Sequence, residues 1–156
     1  MEAAAKAATQ AKPRVSTFSL QMPYLVKGRI TSLVAETDNL WIHGKINAEG
    51  GENALHTHLD EDHAFVVLEG EVTFFDEAGN RSVLKPYQGI MIPRGAYYRY
   101  LNTGSENLMV LRVGAGSKNE QNEGNRIGPD GRALHGDSAE NKHVDPVPIS
   151  GKFFGA

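Results

Sequence analysis

His56-Thr57-His58-Leu59-Asp60-Glu61-Asp62-His63-Ala64-Phe65-Val66-Val67-Leu68-Glu69-Gly70 places three of the chain's six histidines within its first eight residues. Side chains alternate faces along an extended strand, so His56 and His58 point to one side. Leu59 to Asp62 supply a short polar turn, and His63 opens a second apolar strand that ends at Gly70. If that strand returns antiparallel beside the first, His63 meets the other two histidines over one point. Three imidazoles converging on a concave face suit a transition metal such as Fe, Ni, Cu, Zn or Co. On the second strand His63, Phe65 and Val67 share one face while Ala64, Val66 and Leu68 share the other. Both faces are apolar, as in a strand covered on two sides. Asp60, Glu61 and Asp62 are then a solvated turn.

Working outward, the other segments read as further short strands. Phe18 to Val26 is an edge strand or a crossing segment, because Pro23 cannot donate to a ladder. Gly28 to Ala35 and Leu40 to Ile46 are strands, with Ala48 to Asn53 a loop before the histidines. Glu71 to Phe75 and Arg81 to Leu84 flank a hairpin turn at Asp76 to Asn80, and Asn107 to Val113 is a last apolar strand. Many short strands with turn residues between them and no helical period indicate an all-β sandwich or barrel. His43, alternating with Trp41 and Lys45, reads as a surface or pocket-wall residue.

The chain has 156 residues, which suggests one domain with room for a substantial core. A net charge of −3 and the absence of basic runs call for neither nucleic acid nor a membrane surface. The lack of cysteine excludes disulfides and thiolate ligands. No apolar stretch approaches transmembrane length. Met1 to Gln10 is alanine-rich but lacks an apolar signal core, so a cytoplasmic location is expected. Residues 1–16 read as a flexible arm or frayed helix stopped by Pro13. Residues 114–143 are rich in Gly, Asn, Asp, Ser and Glu, the composition of a linker or flexible tail. Their histidines, His135 and His143, are expected to be exposed. Val144, Val147 and Ile149, interleaved with Pro146 and Pro148, then lead to Phe153-Phe154. These apolar residues should dock on the barrel or on a partner, with both phenylalanines substantially buried.

The stretch quoted first resembles the first motif of the cupin family: Gly, five residues, His-x-His, three or four residues, Glu, six residues, Gly. Here the pattern is Gly50, five residues, His56-x-His58, four residues, His63, six residues, Gly70. One residue departs, since His63 stands where most members carry a glutamate. Asp62 would supply the acid under the three-residue spacing, but the count to Gly70 favours His63. Tyr87 to Asn102 resembles the second motif: Gly, five residues, Pro-x-Gly, two residues, His, three residues, Asn. Pro93-x-Gly95 and Asn102 are in register, while Tyr87 replaces the leading glycine and Tyr98 the histidine that usually completes the metal shell.

The resemblance covers about residues 28–113 and implies a cupin double-stranded β-helix, a jelly-roll-like barrel with its site inside. The barrel would span 17–114, between an arm at 1–16 and a tail at 115–156 packing on the barrel or a partner. The resemblance also implies a homodimer formed by exchange of N-terminal strands, here residues 17–30. His56, His58 and His63 would bind one divalent transition metal, with Fe(II) favoured and nickel, manganese, zinc, cobalt or copper the other candidates. Three neutral imidazoles leave the metal's charge uncompensated, which attracts an anion such as an enolate or carboxylate. Tyr98 is a weak fourth ligand, a pendant acid/base or a packing aromatic. Trp41, Phe65, Val67, Met91 and Tyr100 are the candidate walls of a pocket for a small, partly apolar or aromatic substrate. A three-histidine shell resembles that of cupin dioxygenases, so an oxidoreductase of that type is the leading expectation. The alternatives are a metal-dependent lyase or isomerase using Tyr98 as acid/base, and a non-catalytic ligand-binding cupin.

Overall fold

A computed structural model describes residues 12–116, 125–142 and 144–156. The N-terminal arm therefore lies largely outside the described residues, and His143 lies outside them entirely. The described strands are β1 (Met22–Lys27), β2 (Arg29–Glu36), β3 (Leu40–Asn47), β4 (Gly51–His58), β5 (Asp62–Glu69) and β6 (Val72–Asp76). They continue with β7 (Arg81–Leu84), β8 (Gly89–Ile92), β9 (Tyr98–Asn102), β10 (Leu108–Ala115), β11 (Arg126–Ile127) and β12 (Val147–Phe154).

Two antiparallel five-stranded sheets face each other, in the orders β2-β3-β10-β5-β8 and β11-β4-β9-β6-β7, with a separate β1-β12 ribbon. The fold is the all-β barrel expected from the strand pattern, with its strand faces set by period-two alternation. On β5, His63, Phe65 and Val67 point inward and are buried. Facing them are Phe74 from β6 and Tyr98 and Tyr100 from β9, and these aromatics join Val72, Leu108 and Val110 in one core. Phe65 sits 5.2 Å from Phe74 and 5.7 Å from Tyr100, in edge-to-face geometry. Each such buried side chain contributes about 1.5–3 kcal/mol.

Two glycines are dictated by close approach. A Cβ on Gly51 would stand 2.1 Å from the Tyr100 carbonyl oxygen, and one on Gly114 would stand 2.0 Å from the Trp41 indole nitrogen. Strand β4 therefore begins inside what reads from sequence as a loop, because Gly51 and Glu52 pair with β9. Tyr87, in place of the motif's glycine, keeps the left-handed backbone that glycine adopts freely, at φ 70°.

The segment 125–142, a linker by composition, is held against the barrel by hydrogen bonds rather than apolar burial. Leu59 N–H donates to the Asn125 carbonyl at 2.9 Å, and Asn53 Nδ2 donates to the Asn141 carbonyl at 3.1 Å. The Arg29 guanidinium donates to the Gly136 carbonyl, while Arg126 braces the segment internally by donating to the Leu134 carbonyl. Composition registers burial, not such bonds. Further on, β12 pairs with β1, and Phe154 packs near Met22, Leu25, Ile46 and Met109. Phe153 alternates to the other face and is 44% exposed, contrary to the expectation that both phenylalanines are buried.

Candidate metal centre

His56 and His58 share the inner face of β4, as alternation requires. His63 does not arrive beside them on a neighbouring strand. The turn after His58 crosses between sheets, so β5 belongs to the facing sheet and His63 meets the other two across the barrel. The His58 ring centroid lies 4.4 Å from that of His63 and 5.3 Å from that of His56. Tyr98 pairs with His56 across β4 and β9, which sets both on one face with ring centroids 4.4 Å apart. Its hydroxyl is 3.5 Å from His63 Nδ1.

Among the described residues, the ligand atoms of His58, Glu61 and His63 all lie within 4.8 Å of one another. Glu61 is therefore not part of a solvated turn. Its Oε2 is 2.7 Å from His63 Nε2 and 3.5 Å from His58 Nδ1. Asp62, the alternative carboxylate, turns away to Arg94, 3.1 Å distant. The sequence could have suggested Glu61 only by allowing a turn residue to fold back, since no strand alternation governs it. Burial raises the Glu61 pKa, against the pull of Arg112.

His56 stands behind this group. Its Nδ1 is 2.8 Å from the Ala54 carbonyl, so Nδ1–H donates there and Nε2 keeps a lone pair. That Nε2 is 3.2 Å from Glu52 Oε2, yet neither atom has an aligned hydrogen bond. Oε1 of Glu52 pairs with the buried Lys45 ammonium. Burial would raise the Glu52 pKa, but Lys45 and His56 hold it well below the usual carboxylate range. Burial lowers the pKa of Lys45 to about 8, with Glu52 opposing.

Arg112, on β10, pairs in register with Phe65 on one side and His43 on the other, so it shares their inner face. Its Nη2 is 2.6 Å from His63 Nε2 and 3.2 Å from Glu61 Oε2. The signal in the sequence is a lone charge inside Leu-Met-Val-Leu-Arg-Val, at an inward position. Lys45 and Glu52 carry the same signal, being in phase with Trp41 and His56 respectively. His43 also lines the interior, and its pKa falls to about 4 through burial and then Arg112. Burial, then Arg112, lowers that of His63 to about 2 and that of His58 further, while burial also lowers His56. Tyr98 is pushed well above 10 by burial, and Glu52 adds to this, so its phenol stays protonated.

Of the pocket candidates, Trp41, Phe65, Val67 and Tyr100 are buried inside the barrel. Met91 is not, being 72% exposed. It pairs with Ala64, on the outward face of β5, whereas Ile92 pairs with His63 and points in.

These residues fit a divalent metal. His56 Nε2 and His58 Nε2 are buried and have no hydrogen-bond partner, and neutral imidazoles with one carboxylate are a transition-metal donor set. His63→Ala is expected to abolish stoichiometric metal binding while leaving the barrel folded, read by elemental analysis and circular dichroism. Full occupancy in that variant would remove His63 from the ligand set.

Residues 45–114 match the family described as the cupin domain. No curated protein matches the sequence. Among solved structures, the fold matches a double-stranded β-helix protein from Klebsiella pneumoniae at 24% identity and TM-score 0.54, covering 62% of this chain and 84% of that one. A cupin-superfamily sugar phosphate isomerase from Silicibacter pomeroyi matches at 16% identity and TM-score 0.53, over 67% and 76% of the two chains. KdgF from a Halomonas species matches at 18% identity and TM-score 0.52, over 59% and 83%. With its paired sequence motifs and this family match at its centre, the segment 45–114 carries a cupin domain, and the described strands have the double-stranded β-helix fold.

Proposed function

We propose that this cupin is a metal-dependent enzyme acting on a small anionic, partly apolar or aromatic molecule, with dioxygenase-type chemistry. The observation that carries the reading is the pair of buried, unpartnered imidazole nitrogens of His56 and His58 beside His63 and Glu61. One divalent transition metal, Fe(II) favoured, would be held by His56, His58 and His63 with Glu61 beside them, and would supply redox and Lewis-acid chemistry. The aromatic wall of Phe65, Phe74 and Tyr100 excludes water and faces an apolar part of the substrate. Tyr98, a neutral phenol, donates a proton or hydrogen bond at the same point. A homodimer belongs to this reading, supported by the exposed apolar side chains Phe18, Val26 and Leu33.

Oxygen consumption by Fe(II)-loaded protein, screened with diketones, thiols and aromatic acids, tests the reaction class. Uptake should occur with one of these and fall about 100-fold in Tyr98→Phe, with metal content unchanged. Equal rates in that variant would leave Tyr98 a packing residue. A second reading, proton transfer by a lyase or isomerase, draws on the raised pKa of Glu61, which suits a general base. One structural neighbour is described as a sugar phosphate isomerase. Substrate-dependent exchange of solvent deuterium without oxygen uptake would favour it.

A further inference from the structure

The charges inside the barrel do not balance. Among the described residues, Arg29, Lys45, Arg112 and Arg126 are drawn into or against the interior, and the carboxylates among them are Glu52 and Glu61. Lys45 is matched by Glu52. Arg112 shares Glu61 with His58 and His63. Arg126 stands opposite His58 across the β4–β11 pair, so it leaves the sheet on the side of His58. Its Nη1 donates to the Leu134 carbonyl, but its Nη2 is buried with no hydrogen-bond partner, as is Arg112 Nε. Unmatched N–H donors of buried guanidinium groups are costly unless an acceptor meets them. The interior thus holds surplus positive charge and orphaned donors before any metal is counted.

Arg112 also has an unusual partner. Its Nη2 donates to His63 Nε2, the nitrogen that also faces Glu61. A guanidinium and a metal cannot share one lone pair, so ligation through that nitrogen turns Arg112 away from His63. The Arg112 and Glu61 side chains are 11% and 12% exposed, so solvent reaches both. A planar fork at that place recognises two oxygens of one group.

We propose that Arg112, backed by Arg126, is the anion-binding residue of the barrel, and that the substrate presents an oxyanion to it, as a carboxylate or a phosphate monoester. This rests on the enzyme reading above and specifies its substrate class. The neutral phenol of Tyr98 and the aromatic wall then face the remainder of the molecule.

Calorimetric titration with benzoate, phenyl phosphate and neutral benzamide tests it, on zinc-loaded protein and again after chelation. Benzoate or phenyl phosphate should bind at least ~10-fold more tightly than benzamide, and the tighter of the two identifies the oxyanion. Arg112→Gln should weaken oxyanion binding at least ~10-fold and leave benzamide unchanged, with partial rescue in Arg112→Lys. Arg81→Gln, on the exposed β7, should bind as the parent does. Unchanged oxyanion binding in Arg112→Gln, or no preference over benzamide in the parent, overturns the proposal. If Arg112→Gln fails to fold, Arg112→Lys and the parent's preference decide. Oxyanion binding that does not depend on Arg112, in a protein that still binds zinc, sinks this inference alone. Oxyanion binding through Arg112 in a protein that takes up no divalent metal sinks the enzyme reading instead.

Discussion

Glu52→Ala is expected to destabilise the barrel by about 3–5 kcal/mol, the cost of leaving one member of a buried ion pair alone. Lys45 is 2% exposed and lies over the Tyr100 ring at 5.6 Å from its centroid, with Glu52 as its bonded counter-charge. Without Glu52, burial would drive the ammonium toward its neutral form, which caps the loss but leaves an unpaired amine in an apolar wall. The double variant Lys45→Met, Glu52→Leu removes both charges and should recover most of the deficit, because apolar replacements of buried pairs are often neutral or better. Urea unfolding of the three proteins measures this. A single-variant loss below ~1 kcal/mol would mean that Lys45 finds another acceptor.

Acid should unfold the chelator-treated protein well before its carboxylates titrate in water. His43, His56, His58 and His63 all have folded pKa values below the ordinary 6.5, with burial the first cause in each. The unfolded chain therefore binds their protons more readily. Stability contributed by the neutral rings is complete above pH ~6.5 and falls as pH drops from there through the folded values, about 4 for His43 and about 2 for His63. Each ring that stays neutral costs about 2 kcal/mol between pH 7 and pH 5, so His58 and His63 together reach roughly 4 kcal/mol, and His56 adds in the same direction. That is a large part of the whole stability of a small domain. Denaturant midpoints at the two pH values test this, and His58→Gln should flatten the dependence. Equal midpoints in the parent would show that the rings are protonated inside the fold.

Much of the architecture was legible because period-two alternation is a local property. Phe65 and Val67 point inward for the reason that sets His63 inward, and Pro93-x-Gly95 with Asn102 fixed the entry of β9. Which strands pair is not local. The histidine strand and its successor read as neighbours, yet they lie in facing sheets, since a three-residue turn can join sheets as well as strands. Met91 faces outward while Ile92 faces in, because one residue along a strand inverts a side chain. Glu61 was missed because turn residues obey no alternation. Arg112, Lys45 and Glu52 were visible as charges at inward positions of apolar strands, a pattern that marks a polar interior rather than a sequence error.

The β1–β12 ribbon sets an order on synthesis. Strand β1 emerges from the ribosome first among the described strands, yet its ladder partner follows ten others. Until then its backbone is met by the Asn107 side chain, which bonds both the N–H and the carbonyl of Leu25, at 2.9 Å each. Asn107 itself becomes available only after nine strands have been made. During translation β1 is thus an unpaired edge with apolar Leu25 and Val26, open to strands from neighbouring nascent chains. On a polysome, where several copies grow side by side, the same edge that closes the finished molecule is the one most able to join two unfinished ones.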